Sequence, residues 1–138
     1  MFIDASVIVA ILAREPGCEE LEKRLAEIDG RFFVSPLVKF EASAALARQK
    51  AVNRKPSPEL LRQAQRAVDA FVEDIAAEEV PISPEVGRIA LDASAAYGKA
   101  VGHAADLNFG DCFAYACAKA LKVPLLYKGN DFAHTDLA

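Results

Sequence analysis

Leu107-Asn108-Phe109-Gly110-Asp111-Cys112-Phe113-Ala114-Tyr115-Ala116 sets an aspartate in the opening turn of an otherwise apolar run. The run predicts a helix over Gly110 to Leu121, and Asp111 there could cap free backbone amides or act as a functional carboxylate. Beyond it, Pro124 to Tyr127 reads as a strand, and Gly129-Asn130 as a turn leading into Asp131. Short apolar runs alternate with stretches of helical period all the way back to the amino terminus. That is the pattern of strands crossed over by helices onto a parallel sheet, an α/β architecture.

Met1 to Asp4 is the first predicted strand. A short apolar helix over Ser6 to Ala13 follows, then a second helix over Cys18 to Ile28 with Leu21, Leu25 and Ile28 on one stripe and Gly30 closing it. Arg31 to Val34 is the second strand. Three Ser-Pro pairs, Ser35-Pro36, Ser57-Pro58 and Ser83-Pro84, then mark helix starts, because serine caps the first free amides and proline is tolerated at the first helical position. The helix after Ser57 carries Leu61, Ala64, Val68, Phe71, Val72 and Ile75 on one face, and the helix after Ser83 carries Val86, Ile89, Ala90, Ala93 and Tyr97. Between them Glu79 to Ile82 is a candidate strand. With 138 residues, 53% hydrophobic content and no internal repeat or linker, residues 1–138 read as one domain able to bury a substantial core.

Composition narrows the chemistry. Cys18, Cys112 and Cys117 form no CxxC and only His103 and His134 are present, so no thiol or imidazole cluster at zinc spacing exists. Three cysteines and no basic segment ahead of the apolar start lead to the expectation of a reduced cytoplasmic compartment without a signal peptide. Met1 to Ala13 is too short for a membrane span and contains Asp4. A net charge of −4 argues against indiscriminate nucleic-acid binding. Locally, however, Arg48, Lys50, Arg54, Lys55, Arg62 and Arg66 face the single acid Glu59. This basic strip is either a solvated linker and helix face or a phosphate-tracking surface.

Four acids stand in apolar surroundings: Asp4 behind Phe2-Ile3, Glu41 in line with Leu37, Ala44 and Ala45, Asp111, and Asp131 behind Leu125-Leu126-Tyr127. Stripping a carboxylate of water costs several kcal/mol, and two carboxylates ~4 Å apart repel by roughly 4 kcal/mol at an effective dielectric near 20. A cluster of them must therefore protonate or hold a hard divalent cation, and the all-oxygen donor set suits Mg²⁺ or Mn²⁺. Taken singly, Asp4 could end a strand, Glu41 could pair with a buried base and Asp131 could be an ordinary turn residue. In open α/β sheets ligands bind beyond the carboxyl ends of the strands, where Asp4 and Asp131 both fall.

The ordered set is more restrictive than its members. Phe2-Ile3-Asp4-Ala5-Ser6, Val38-Lys39-Phe40-Glu41-Ala42, the 107–116 block, and Tyr127-Lys128-Gly129-Asn130-Asp131-Phe132 leading to Thr135-Asp136 resemble, over essentially the whole chain, the PIN-domain ribonucleases, most closely the VapC toxins of prokaryotic toxin–antitoxin systems. The resemblance implies a three-layer α/β/α sandwich on a central parallel sheet, dimeric, with one acidic cleft per subunit. It implies Asp4, Glu41 and Asp111 as principal holders of Mg²⁺ or Mn²⁺, with Asp131 as a fourth acid and Ser6 orienting Asp4 or else capping the first helix. It further implies hydrolysis of RNA to 5′-phosphate and 3′-hydroxyl ends, and a cognate VapB-like antitoxin that sends a basic side chain into the cleft. Arg48, Lys50, Arg54 and Lys55 are the candidate RNA contacts. His103 and His134 have no sequence context tying them to the acids, and Cys112 and Cys117 read as small buried hydrophobes. The alternatives are a non-toxin PIN-type nuclease, an acidic-cleft binding module, or a Mg²⁺-dependent phosphatase-like domain. Against the last, an aspartate-based phosphatase wants Asp-x-Asp after the first strand, and position 6 is serine.

Overall fold

The computed structural model describes residues 1–137; Ala138, the final residue of the expected domain, lies outside the described residues. Its elements run β1 (Phe2–Ile3), α1 (Ala5–Leu12), α2 (Cys18–Glu27), β2 (Phe33–Val34), α3 (Pro36–Ala51), α4 (Pro58–Asp74), β3 (Glu78–Glu79), α5 (Pro84–Tyr97), a 3-10 turn (Lys99–Val101), α6 (Phe109–Leu121) and β4 (Leu125–Leu126). The strands form one parallel sheet in the order β3-β2-β1-β4, with Phe2 opposite Phe33 and Leu125, and helices pack around it as the expected α/β/α sandwich. β1 and β4 are buried throughout, as strands covered on both faces must be. Phe2, Ile3, Val7, Ile8, Val34, Val38, Val68, Leu107, Leu126 and Phe132 are the large fully buried side chains of one contiguous core.

All three Ser-Pro signals mark real helix starts. Ser35, Ser57 and Ser83 each accept a hydrogen bond from the amide three residues on, with proline inside the first turn. The strands are shorter than their apolar runs. The third forms at Glu78–Glu79 rather than Glu79 to Ile82; one further bond runs from the Val80 amide to the Val34 carbonyl, and Pro81 then has no N–H to continue the ladder. This acidic edge is tied down by ion pairs, Glu78 to Arg31 and Glu79 to Lys39. No helix among the described residues is long and apolar enough to cross a membrane.

Candidate active site

The carboxyl ends of β1 and β4, the middle of α3 and the start of α6 meet at a cleft of about 590 Å³ whose walls include Asp4, Glu41, Asp111 and Asp131. Each acid is positioned by a different local device. Asp4 leaves β1 and becomes the N-cap of α1, a role expected for Ser6 if Ser6 were not orienting the acid. Asp4 wins because the chain is still extended at residue 4 and Ser6 is already one residue inside the helix. Asp4 Oδ2 accepts from the Ser6 amide at 2.9 Å and from Ser6 Oγ at 2.5 Å, while Ser6 Oγ accepts from the Lys128 amide at 3.0 Å. Ser6 thus orients the carboxylate and joins β1 to the loop after β4.

Asp111 sits in the first turn of α6 in a reciprocal capping box. Its backbone amide donates to Asn108 Oδ1 at 3.0 Å, and its Oδ2 accepts from the Asn108 amide at 2.9 Å. Capping and pocket-lining were alternatives in the sequence; the fold makes Asp111 do both. Asp131 is exposed on the turn after β4, where buried Phe132 and the Thr135 hydroxyl bonded to the Phe132 carbonyl anchor the loop.

Glu41 shares its face with Ala44 and Ala45, as its sequence company predicts, and that face is the cleft wall, beside the core stripe and not on it. The core side of α3 is Val38, Ala42 and Leu46, whereas Glu41 lies one residue round the helix, half-buried, with Phe40, Ala44, Ala45 and Arg48 along the cleft. Its carboxylate rests against Gly110, where any Cβ would fall within 3.0 Å of its terminal atoms. The missing side chain of Gly110 is the space that lets α3 and α6 bring Glu41 and Asp111 to one cleft.

The electrostatics follow from this crowding. Burial raises the Glu41 carboxyl to about 7, helped by the charges of Asp4 and Asp111. Burial raises Asp111 to about 6 against the lowering effect of its Asn108 hydrogen bond, with Asp4, Asp131 and Asp106 adding to the rise. Asp4 is raised by burial, opposed by the two Ser6 hydrogen bonds. Among the described residues no three His, Cys, Asp or Glu side chains are already gathered at ligand spacing; the acids line a shared cleft rather than ring one point. The donor set is nonetheless all oxygen, the proton affinities are raised by burial and, less, by like charges, and Gly110 leaves the cradle open. These features fit a hard divalent cation held by Asp4, Glu41 and Asp111.

A pH dependence follows. Glu41 and Asp111 have folded-state pKa values above their ordinary ones of 4.5 and 3.8, so their contribution to stability is fully present below about pH 4 and is lost as pH rises through about 6 and 7. Chelator-treated protein is expected to melt progressively lower as pH is taken from 5 to 8 at fixed ionic strength. Added Mg²⁺ should recover the loss at pH 8 and do little at pH 5. Melts that shift equally at both pH values would contradict the pairing.

The basic strip is not one surface. Arg48 reaches the cleft, whereas Lys50, Arg54 and Lys55 are exposed and do not line it; Arg54 donates to the Ala51 carbonyl and Arg66 pairs with Glu59. The second cation of the cleft is Lys128, whose Nζ is 2.5 Å from Glu15. Neither Lys128 nor Glu15 stands out in the sequence, because an ion pair spanning the loops after α1 and β4 leaves no spacing signal. His103 accepts from the Ala105 amide through Nδ1 and packs edge-on to Tyr97, and neither it nor His134 lines the cleft. All three cysteines are buried and free.

Comparison with known proteins agrees with this fold. The family model described as PIN domain matches residues 1–137. The chain is 55% identical over 139 aligned residues to a VapC ribonuclease of Rhizobium meliloti, covering 99% of this chain and 98% of that protein. It is also 33% identical to ribonuclease VapC42 of Mycobacterium tuberculosis, over 99% of this chain and 96% of the relative. Among solved structures it superposes on VapC20 of Mycobacterium tuberculosis, described as a sarcin-ricin loop cleaving toxin, with TM-score 0.71 at 16% identity over 96% of this chain and 92% of that one. A toxin–antitoxin complex from Klebsiella pneumoniae matches with TM-score 0.66 at 14% identity, over 99% and 92%. The chain therefore belongs to the PIN-domain family, within its VapC branch.

Proposed function

We propose that this protein is the ribonuclease toxin of a toxin–antitoxin pair, an endonuclease hydrolysing RNA phosphodiester bonds in the acidic cleft with Mg²⁺ or Mn²⁺. The observation that carries the reading is the convergence of Asp4, Glu41 and Asp111, with raised proton affinities, on one cleft of a chain 55% identical to a VapC ribonuclease. Asp4, Glu41 and Asp111 hold the cation, and Asp131 supports them from the exposed side. When bound, a divalent ion neutralises phosphate charge and makes water a usable nucleophile near neutral pH. Ser6 fixes Asp4, the Asn108 capping box fixes Asp111, and Arg48 and Lys128 offset the remaining negative charge so that a phosphate can enter. Products with 5′-phosphate and 3′-hydroxyl ends are what the family resemblance implies, and neither His103 nor His134 lines the cleft.

The partners follow from the same reading. A VapB-like antitoxin would complement the acidic cleft with a basic side chain, and the solved toxin–antitoxin complex with the same fold supports a partner of this kind. A homodimer would bury the exposed apolar side chains of Leu91 and Phe109, which line one groove at α5 and α6. A cytoplasmic setting suits the free cysteines and an RNA substrate.

Incubating the purified chain with RNA, with and without Mg²⁺ or Mn²⁺, and reading product ends tests the activity; no cation-dependent cleavage of any RNA would overturn it. Within that assay Arg48→Glu is expected to weaken RNA binding more than Arg54→Glu and Lys55→Glu together. It should also lower the slope of log K against log salt by about 0.7 for each phosphate no longer neutralised. An unchanged slope would remove Arg48 from the RNA path.

A further inference from the structure

Of eight phenylalanines, only Phe40 and Phe109 are largely exposed, at 72% and 70%, and each adjoins a residue of the acidic cleft, Glu41 and Asn108. Phe109 is tilted against Phe113 at 5.0 Å between ring centroids, so its ring has a partner. Phe40 has none among the aromatic pairs of the described residues. It stands where the acidic cleft meets a smaller groove between α3 and α4, and lines both.

Position on the helix gives this ring a direction. Phe40, Ala44 and Arg48 follow at i, i+4 and i+8 along the cleft side of α3, with Glu41 and Ala45 beside them. An aromatic face lies at one end, Arg48 branches from the backbone about 12 Å further along at 1.5 Å per residue, and between them alanines leave a low floor beside the catalytic carboxylate. That sequence of surfaces suits a single nucleic-acid strand, with one base on an aromatic face, its phosphate at the acids and a neighbouring phosphate at a cation. A solvated Phe gains nothing for the fold at this position, and its substitution leaves the core packing intact.

We infer that Phe40 is the stacking platform for an unpaired base next to the scissile phosphate, a positioning role that makes the enzyme select single-stranded RNA; this rests on the ribonuclease reading above. Because any base has a π-face, the platform fixes strand register without choosing sequence.

The chain contains no tryptophan, so Phe40→Trp places a single indole at the proposed contact. In an Asp111→Asn background, which keeps RNA intact, its fluorescence should be quenched by a short oligoadenylate. It should be unaffected by an abasic ribose-phosphate oligomer of equal length. Phe40→Ala and Phe40→Leu should weaken oligoadenylate binding about tenfold to a hundredfold, and Phe40→Tyr should restore it. In the active enzyme Phe40→Ala should raise KM by a similar factor with little change in kcat. Unquenched indole together with unchanged affinity of Phe40→Ala, while the parent still binds and cleaves RNA, would overturn the platform and leave the ribonuclease standing. So would equal quenching by the abasic oligomer, or a Phe40→Ala defect confined to binding of a purified antitoxin. A parent protein that neither binds nor cleaves RNA would overturn the ribonuclease reading, and this inference with it.

Discussion

The variant carrying Asp4→Asn, Glu41→Gln and Asp111→Asn is expected to lose RNA cleavage entirely, and in the absence of metal to melt at a higher temperature than the parent. Outer residues that merely orient metal ligands already contribute 10- to 100-fold, so each single substitution of a proposed ligand should cost at least about a hundredfold. The gain in stability has the opposite cause. With its carboxyl raised from 4.5 to about 7, Glu41 is ionised at pH 8 only against burial and the charges of Asp4 and Asp111. The isosteric amide removes that cost, on the order of 1–2 kcal/mol once partial exposure to water is discounted. The gain should fade as pH falls toward 4.5, because the parent then carries its proton in the folded state and the amide offers no advantage. Thermal melts in chelator at pH 8 and pH 5, run beside the cleavage assay, read both halves. A triple variant that retains full activity would reject the site, and one that is inactive but less stable at pH 8 would mean the acids hold the fold together rather than strain it.

How much of this is legible in the sequence depends on whether the signal is local. Ser35-Pro36, Ser57-Pro58 and Ser83-Pro84 each need only the residues they contain to start a helix, and all three do so. Asp4, Asp111 and Asp131 can be placed because strand ends and a helix start are local features, and the motif order then ties them to one family. Glu41 is conspicuous for its apolar company, and Ala44 and Ala45 do share its face, but the sequence does not show that this face is a cleft wall and not the core. Leu37, Ala44 and Ala45 look like a core stripe, yet Val38, Ala42 and Leu46 are the side chains buried in the core, and only tertiary packing decides between two adjacent apolar faces. The ion pair of Lys128 with Glu15 joins loops 113 residues apart and leaves no trace in either. Phe40 reads as one more core aromatic, since nothing in the sequence distinguishes a ring at the lip of a cleft from one beneath it.

Gly110→Ala is the smallest change with a large expected effect. In most helices this substitution is favourable by up to about 1 kcal/mol, because alanine loses less backbone freedom than glycine. Gly110 lies in the first turn of α6 without a positive φ, so its backbone conformation does not demand glycine. Space does, since the added methyl would overlap the carboxylate of Glu41. The obstructing atoms are the far end of a flexible side chain, so the fold should accept alanine and Glu41 should yield by about 1 Å or more. Misplacing a catalytic group by that distance can cost about a hundredfold in rate. The expected result is a protein with parental or slightly raised melting temperature, cleavage lowered about a hundredfold, and a higher Mg²⁺ concentration for half-maximal activity. Swung toward water, Glu41 should also titrate nearer 4.5, so the metal-free loss of stability between pH 5 and 8 should shrink. Gly87→Ala in α5, where an added Cβ meets nothing within 4 Å, is the matching control and should leave activity and its metal dependence unchanged. Full activity in Gly110→Ala would show that the Glu41 carboxylate is not needed where it rests, and would remove it from the set that holds the ion.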